Sequence, residues 1–514
     1  MRLKNSINNM IYGLTGQIIS IVMSFIVRTV FIYTLGIEYL GVEGLFSSIL
    51  LMLSLANLGF DTAMIYSMYK PLADKDKYKI QALMNLYKKA YRLIGFVVFI
   101  IGLAIVPILP NLMNGTTSVE HINIIYMLFL LNSASSYYFV YKQSIIIADQ
   151  KNYIISKVHT KFVIISNVIQ VILLISTRNY IVVLIIQILF RIIENIYLAK
   201  KANDLYPFLK VKNKAKLTNE EKKDFFENLY SLLLYKISGV VINGTDNIII
   251  AAFLGIAIVG IYSNYLLILM TLSTLLSYIF YSVTASVGNL HVTESTEKKY
   301  FIFRVIHFLN FWTYGFCVIC LWNLLNPFIT LWLGEAYVFD KLIVLCILFN
   351  FLTAGMQNAS TIYRETTGLF KKGKYRPIIA AVINIVASLL LVNNLGLAGV
   401  FLGTVFSRLC TYFWFDPYVI FKYLFQRSVQ SYFKNYIFYF LLIIAIAYLT
   451  DLLGSYILVH NPMLNFIFRG ILCLIVPNLV FFILFRRSEE LKYVLNLMKK
   501  MIPINVNRRK GLSS

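Results

Sequence analysis

Residues 11–36 read IYGLTGQIISIVMSFIVRTVFIYTLG, an apolar run broken by Gln17, Ser20, Ser24 and Arg28. Spacings of three, four and four put those residues on one helical face. A guanidinium cannot lose its proton. Holding one at membrane depth costs at least about 2.5 kcal/mol unless it faces a polar interior. The stretch therefore predicts a first transmembrane helix with one face turned toward a pathway.

The rest of the chain has the same character. Of 514 residues, 59% are apolar and only 14% charged, against roughly 25% charged in soluble domains. Mean hydropathy is +0.73. Apolar runs of about 20 residues recur throughout, as a polytopic membrane protein requires. Residues 1–9 are basic, but no small-residue cleavage site follows, so the first run is read as an uncleaved span. The cysteines (Cys317, Cys320, Cys346, Cys410, Cys473) all lie in apolar runs. Cys317-x-x-Cys320 has no further ligands nearby and is read as helix packing.

Hydropathy predicts fourteen spans, at 10–34, 43–68, 89–109, 120–146, 158–177, 180–199, 229–253, 258–285, 303–326, 342–363, 377–395, 397–420, 435–452 and 465–486. The net charge of +24 is then one-sided. Every second connection is basic, and about forty of the lysines and arginines fall on that side, which the positive-inside rule makes cytoplasmic. Both termini are expected inside. The other side holds chiefly Arg178 and Lys341, with Arg469 at a span edge. This distribution argues against a nucleic-acid binder, and short outer loops leave no domain for a catalytic centre.

A charged linker at 201–228 separates six spans from eight. Leu35-Gly36 and Gly41 match Leu254-Gly255 and Gly260 at a constant offset of 219 residues, which predicts an internal repeat and sets Arg28 beside Asp246 and Asn247. Repeats with polar-interrupted helices at matching positions point to a transporter site. The seventh span aligns Lys236, Gly239, Asn243 and Asp246; the second aligns Ser54, Asn57 and Asp61; the tenth aligns Asn350, Thr353, Gln357, Thr361 and Arg364. Such faces suit a hydrated cavity with hydroxyl and amide groups for sugars, and interhelical hydrogen bonding is the plainer alternative. Lys236 also suits an interfacial anchor. Asp246 either pairs with a cation or binds a coupling ion. Arg191 and Glu194 are expected to satisfy each other at i, i+3, whereas Arg408 has no local partner. Residues 368–374, GLFKKGK, lack the hydroxyl residue of a phosphate loop and do not follow a strand. Residues 488–501 form an amphipathic tail expected on the inner surface.

The stretches RTVFIYTLGIEYLGVEGLFSSIL (28–50), TDNIIIAAFLGIAIVGIYSNY (245–265), ASVGNL (285–290), NPFITLWLGEAY (326–337) and GLFKKGKYRPIIAAVIN (368–384) resemble the polysaccharide repeat-unit flippases of the multidrug/oligosaccharidyl-lipid/polysaccharide exporter superfamily. In the second span the family pattern has an acidic residue before a glycine-rich stretch. This chain has Asn57 there and its acid at Asp61, so no acidic role carries over. The resemblance implies an all-α, MATE-like fold with an N-lobe (1–200), the linker (201–228), a C-lobe (229–420), two further helices (421–486) and a tail (487–514). It implies a central cavity, for which this sequence offers Arg28, Gln17, Ser24, Asn57, Asp61, Lys236, Asn243, Asp246, Gln357 and Arg408. The implied substrate is an undecaprenyl-diphosphate-linked oligosaccharide, moved to the outer leaflet of the bacterial cytoplasmic membrane. Implied partners are membrane lipids, a polysaccharide polymerase and other assembly proteins. Arg28 is the expected diphosphate contact, by bidentate hydrogen bonding.

No cofactor or metal is expected, and no ATP-binding signature appears. Energy would come from a Na+ or H+ gradient, the membrane potential or substrate flux. A cation-coupled multidrug antiporter of the same superfamily is the main rival reading. A membrane polymerase is disfavoured by the lack of a large outer loop or carboxylate cluster, and a scaffold would have no use for intramembrane polar faces.

Overall fold

A computed structural model describes residues 2–54, 60–114, 117–211, 215–369, 372–456 and 460–501. The helices are α1 (Arg2–Leu35), α2 (Ile37–Leu53), α3 (Phe60–Ala73), α4 (Lys77–Ile105), α5 (Ile122–Val140), α6 (Gln143–Ala148), α7 (Asn152–Thr177), α8 (Tyr180–Leu205), α9 (Asn219–Leu254), α10 (Ile256–Thr293), α11 (Thr296–Leu333), α12 (Lys341–Gly355), α13 (Asn358–Thr366), α14 (Arg376–Cys410), α15 (Tyr412–Ile420), α16 (Gln430–Ser455), α17 (Pro462–Phe485) and α18 (Glu489–Met501). No strand occurs among the described residues. Ten of these helical segments are long and apolar enough to cross a membrane. The protein is a multi-pass membrane protein.

Residues 55–59 of the second predicted span lie outside the described set, with α2 before them and α3 after. Two predicted spans are interrupted among the described residues. The tenth divides into α12 and α13, and the fourth into α5 and α6. Conversely, the eleventh and twelfth spans run together as α14, with non-helical backbone at Gly396 (φ 55°, ψ −133°).

Glycine sets the sharpest boundaries. Gly36 (φ 90°, ψ 179°) separates α1 from α2, and Gly255 (φ 93°, ψ 163°) separates α9 from α10. That region is essentially restricted to glycine. The two breaks are the 219-residue repeat made visible, and their surroundings are reciprocal. A Cβ on Gly41 would overlap the Ile256 carbonyl, and one on Gly260 would overlap the Ile37 carbonyl. Ile37 and Ile256 are themselves 219 residues apart.

The chain forms two compact units, residues 1–271 with 374–403, and residues 272–373 with 404–514. This partition differs from the lobes expected on either side of 201–228. In the first unit α1 packs along α7, α2 along α9, and α5 against α4 and α8. Ser48 accepts from Asn247 at 2.9 Å, and Thr245 lies 3.2 Å from Asn384. The described residues of the linker pack on α4. Gln81 donates to the Phe208 carbonyl (2.6 Å), Asn85 to that of Ala215 (3.2 Å), and Lys79 pairs with Glu221 (2.7 Å). Thr218 and Glu221 form a capping box on α9.

The second unit is organised around α11, which contacts α12, α16, α17 and α18. Its core is aromatic: Phe311 stacks on Tyr439 at 4.1 Å, and buried His307 lies among Phe303, Tyr432 and Tyr439. Arg364 and Asp416 form an ion pair at 2.9 Å with side chains 1% and 2% exposed. The amphipathic tail docks through Leu491, the Phe301–Tyr493 ring pair and Arg304 bonded to Glu490 (2.7 Å), leaving Leu495 and Met498 exposed.

Three outcomes are expected from this packing. Gly41→Ala and Gly260→Ala each lower stability by about 1–3 kcal/mol through overpacking, read by thermal melting in detergent. Gly13→Ala, where a Cβ meets nothing within 4 Å, gives no loss. Asp416→Asn destabilises by about 3–5 kcal/mol, and Arg364→Met with Asp416→Leu recovers most of it, since an unpaired buried charge is the costly species. The Lys79 ammonium and the Thr218 backbone N–H hold the Glu221 carboxyl below its ordinary value of 4.5 against opposing desolvation. Its folded pKa is depressed, so its contribution is present above pH 4.5 and lost as pH falls through the lowered value. The melting difference between wild type and Glu221→Gln closes over that acid range.

Candidate functional site

The described site residues fall in both units. In the first, Arg28 lies on α1 with its Nη1 buried and without a hydrogen-bond partner among the described residues. The hydroxyls along its face turn back onto the helix: Ser20 donates to the Gly16 carbonyl (2.9 Å) and Ser24 to that of Ser20 (2.8 Å). Ser24 is exposed and Gln17 half-buried. They leave the guanidinium as the distinctive polar group of α1.

Its surroundings are aromatic and acidic. Tyr180 of α8 stacks edge-on against Phe31 (5.0 Å) and Tyr39 (5.9 Å), and is within electrostatic reach of both Arg28 and Glu43. Glu43 lies on α2, is half-buried and makes no ion pair with Arg28. The sequence reading missed Glu43 because it sits at the start of a predicted span, where an acid passes for a boundary residue. An acid at the first turn of one apolar run, with an unpaired arginine inside another, is the signal that identifies it.

Arg28 does not pair with Asp246. The register explains this: the partner of Ser48 is Asn247, the counterpart of Arg28, and the counterpart of Ser48 is Leu267. That residue has no polar group to offer a guanidinium. Asp246 is instead buried on α9 within reach of Tyr262 of α10. Asp61 opens α3 and accepts hydrogen bonds from Tyr87 and Tyr91 of α4. Asn57 lies outside the described residues, as do the side chains of Lys236 and Asn243 on α9.

In the second unit Arg408, which has no local partner in the sequence, is held by another helix. Its Nη1 donates to the Asn350 carbonyl (2.8 Å), Asn350 Oδ1 (2.7 Å) and Thr353 Oγ1 (2.9 Å). Two polar faces read separately in the sequence are thus joined by interhelical hydrogen bonds. Gln357 is half-buried at the α12–α13 break, its backbone carbonyl accepting from Thr361 (2.9 Å). Arg364, read as a cavity residue, is committed to Asp416 on α15, a partner too distant in sequence for local spacing to reveal.

One smaller expectation is also corrected, that Arg191 and Glu194 satisfy each other. Glu194 pairs with His159 Nδ1 across α7 and α8 at 2.8 Å, leaving Arg191 exposed. Cys320 turns toward the Cys473 carbonyl at 3.8 Å, and all five thiols are free.

No protein-family model matches the sequence, and no curated protein matches it. Solved structures match it by fold. One, titled as the lipid II flippase MurJ in an inward closed conformation, aligns with a TM-score of 0.62 at 15% identity, covering 93% of this chain and 98% of its own. An inward-facing multidrug resistance MATE family transporter of the MOP superfamily aligns at 0.58 and 14% identity, covering 80% and 98%. The Vibrio cholerae MATE transporter VcmN aligns at 0.55 and 13% identity, covering 83% and 99%. At these identities the likeness is one of architecture. The chain has the all-helical fold common to MurJ and the MATE transporters.

Proposed function

We propose that this chain is a transporter of the multidrug/oligosaccharidyl-lipid/polysaccharide exporter type. On this reading it is a flippase that carries undecaprenyl-diphosphate-linked oligosaccharide repeat units from the inner to the outer leaflet of the bacterial cytoplasmic membrane. The carrying observation is Arg28, whose buried Nη1 lacks a partner among the described residues, in a fold shared over 93% of the chain with a lipid II flippase. A guanidinium offers phosphate two parallel hydrogen bonds that a point charge does not.

The mechanism follows from charge. Arg28 and Glu43 both act electrostatically on Tyr180, and the Arg28 Nη1 has no hydrogen-bond partner among the described residues. A diphosphate supplies the missing acceptors, and charge-assisted bonds of this kind are worth about 1.5–3 kcal/mol each. That gain belongs to the state in which Arg28 is accessible, so binding biases alternating access toward it. A coupling ion, Na+ or H+, or the membrane potential would supply the energy. The lipid tail stays in the bilayer, and the product passes to a polymerase and its assembly partners for surface or capsular polysaccharide.

The test is translocation of labelled lipid-linked oligosaccharide in proteoliposomes. Arg28→Ala is expected to slow it at least about tenfold, the equivalent of 1.4 kcal/mol, while Arg28→Lys retains part of the rate. A wild-type rate in Arg28→Ala removes the central role of this residue. Cation-driven drug efflux by the same vesicles, without lipid movement, replaces the flippase reading with that of an antiporter.

A further inference from the structure

The second unit contains a cavity of about 600 Å³ where the C-terminal parts of α11 and α16 meet the N-terminal parts of α12 and α17. It lies at the ends of these helices away from the basic loops, on the side where the sequence places very few cations. Two of those few, Lys341 and Arg469, line it. Positive charge on that side runs against the usual topological bias, and two cations converging on one cavity there call for an anion.

The charges within the cavity do not cancel. Asp451 lies 3.4 Å from Lys341 Nζ and 3.4 Å from Arg469 Nη1. Both separations exceed the 2.7–2.9 Å or so of a tight charge-assisted bond. One carboxylate therefore holds two cations loosely, leaving a net positive charge and free donors. The Lys341 side chain is 77% exposed, and the orientation of Arg469 is fixed by its Nε bond to Asn465 at 3.0 Å. The walls add neutral recognition groups. Buried Asn323 donates its amide to the Ile319 carbonyl (2.8 Å), which leaves its Oδ1 as an acceptor on the cavity wall. Trp322 supplies an indole face 5.9 Å from Lys341 Nζ. Cations, amides and an indole at a helix-end depth match a phosphate group that carries hydroxyls.

We propose that this cavity binds an anionic, hydroxyl-bearing phosphate, with Lys341 and Arg469 taking the phosphate and Asn323 and Trp322 the hydroxylated part. Such chemistry is offered by a phospholipid headgroup in the outer leaflet and by a free polyol phosphate. The site is separate from Arg28 and does not depend on the transport reading, because its test measures binding alone.

Full-length protein in detergent is titrated with dioleoyl phosphatidylglycerol, dioleoyl phosphatidylcholine and sn-glycerol 1-phosphate, and dissociation constants are read by native mass spectrometry. Phosphatidylglycerol is expected to bind about tenfold or more tighter than phosphatidylcholine. Lys341→Gln, at an exposed position that leaves folding intact, and Lys341→Gln with Arg469→Gln are expected to weaken it by about tenfold or more. Lys492→Gln, on the exposed side of α18, leaves it unchanged. Competition by glycerol phosphate with the same sensitivity to these variants supports the site and assigns it to a free phosphate. Lipid binding without such competition supports the site and assigns it to a membrane headgroup. Equal binding of the two lipids, or equal binding of phosphatidylglycerol by all variants, overturns the proposal.

Discussion

The contact on which the first unit turns is the reciprocal seating of α2 and α10. Gly41 lies against the backbone carbonyl of Ile256, and Gly260 against that of Ile37. Inside a bilayer, helices gain nothing from excluding water, so their association depends on close van der Waals approach and a few polar contacts. Missing side chains permit the approach here. The Ser48–Asn247 bond then fixes how α2 lies along α9, and the Thr245–Asn384 contact extends the set to α14.

Charge within the helical bundle is handled in contrasting ways. Arg364 and Asp416 neutralise each other, Arg408 is held by oxygens of Asn350 and Thr353, and Asp61 is held by two phenols. Each of these groups has a charged or polar partner within the protein. Arg28 has a buried nitrogen with no partner among the described residues. A buried polar atom left unsatisfied carries a penalty of about 1–3 kcal/mol, more for a charged group, and such penalties persist where the unsatisfied state is useful.

The sequence made much of this legible. Period and hydropathy located the apolar helices, and the paired Leu-Gly motifs located both the repeat and its offset, because only glycine takes φ near +90° with extended ψ. The breaks at 355–357 and 141–142 were not legible, since hydropathy averages across an interruption that leaves composition unchanged. Spacing identified Arg28 from its own helix alone. It could not supply Glu43, Tyr180 or Asp416, because long-range partners depend on which helices become neighbours. For the same reason it placed Arg364 on a cavity face and could name only that Arg408 had no local partner.

The Leu-Gly break bears on how such a chain tolerates changes in length. Between Gly36 and Gly41, and between Gly255 and Gly260, the register is fixed at both ends: by the turn and by the glycine that meets the opposing carbonyl. One inserted or deleted residue would rotate everything beyond it by roughly 100° around the helix, carrying a side chain into the place the glycine keeps clear. Among related chains the two five-residue intervals should therefore stay the same length as each other.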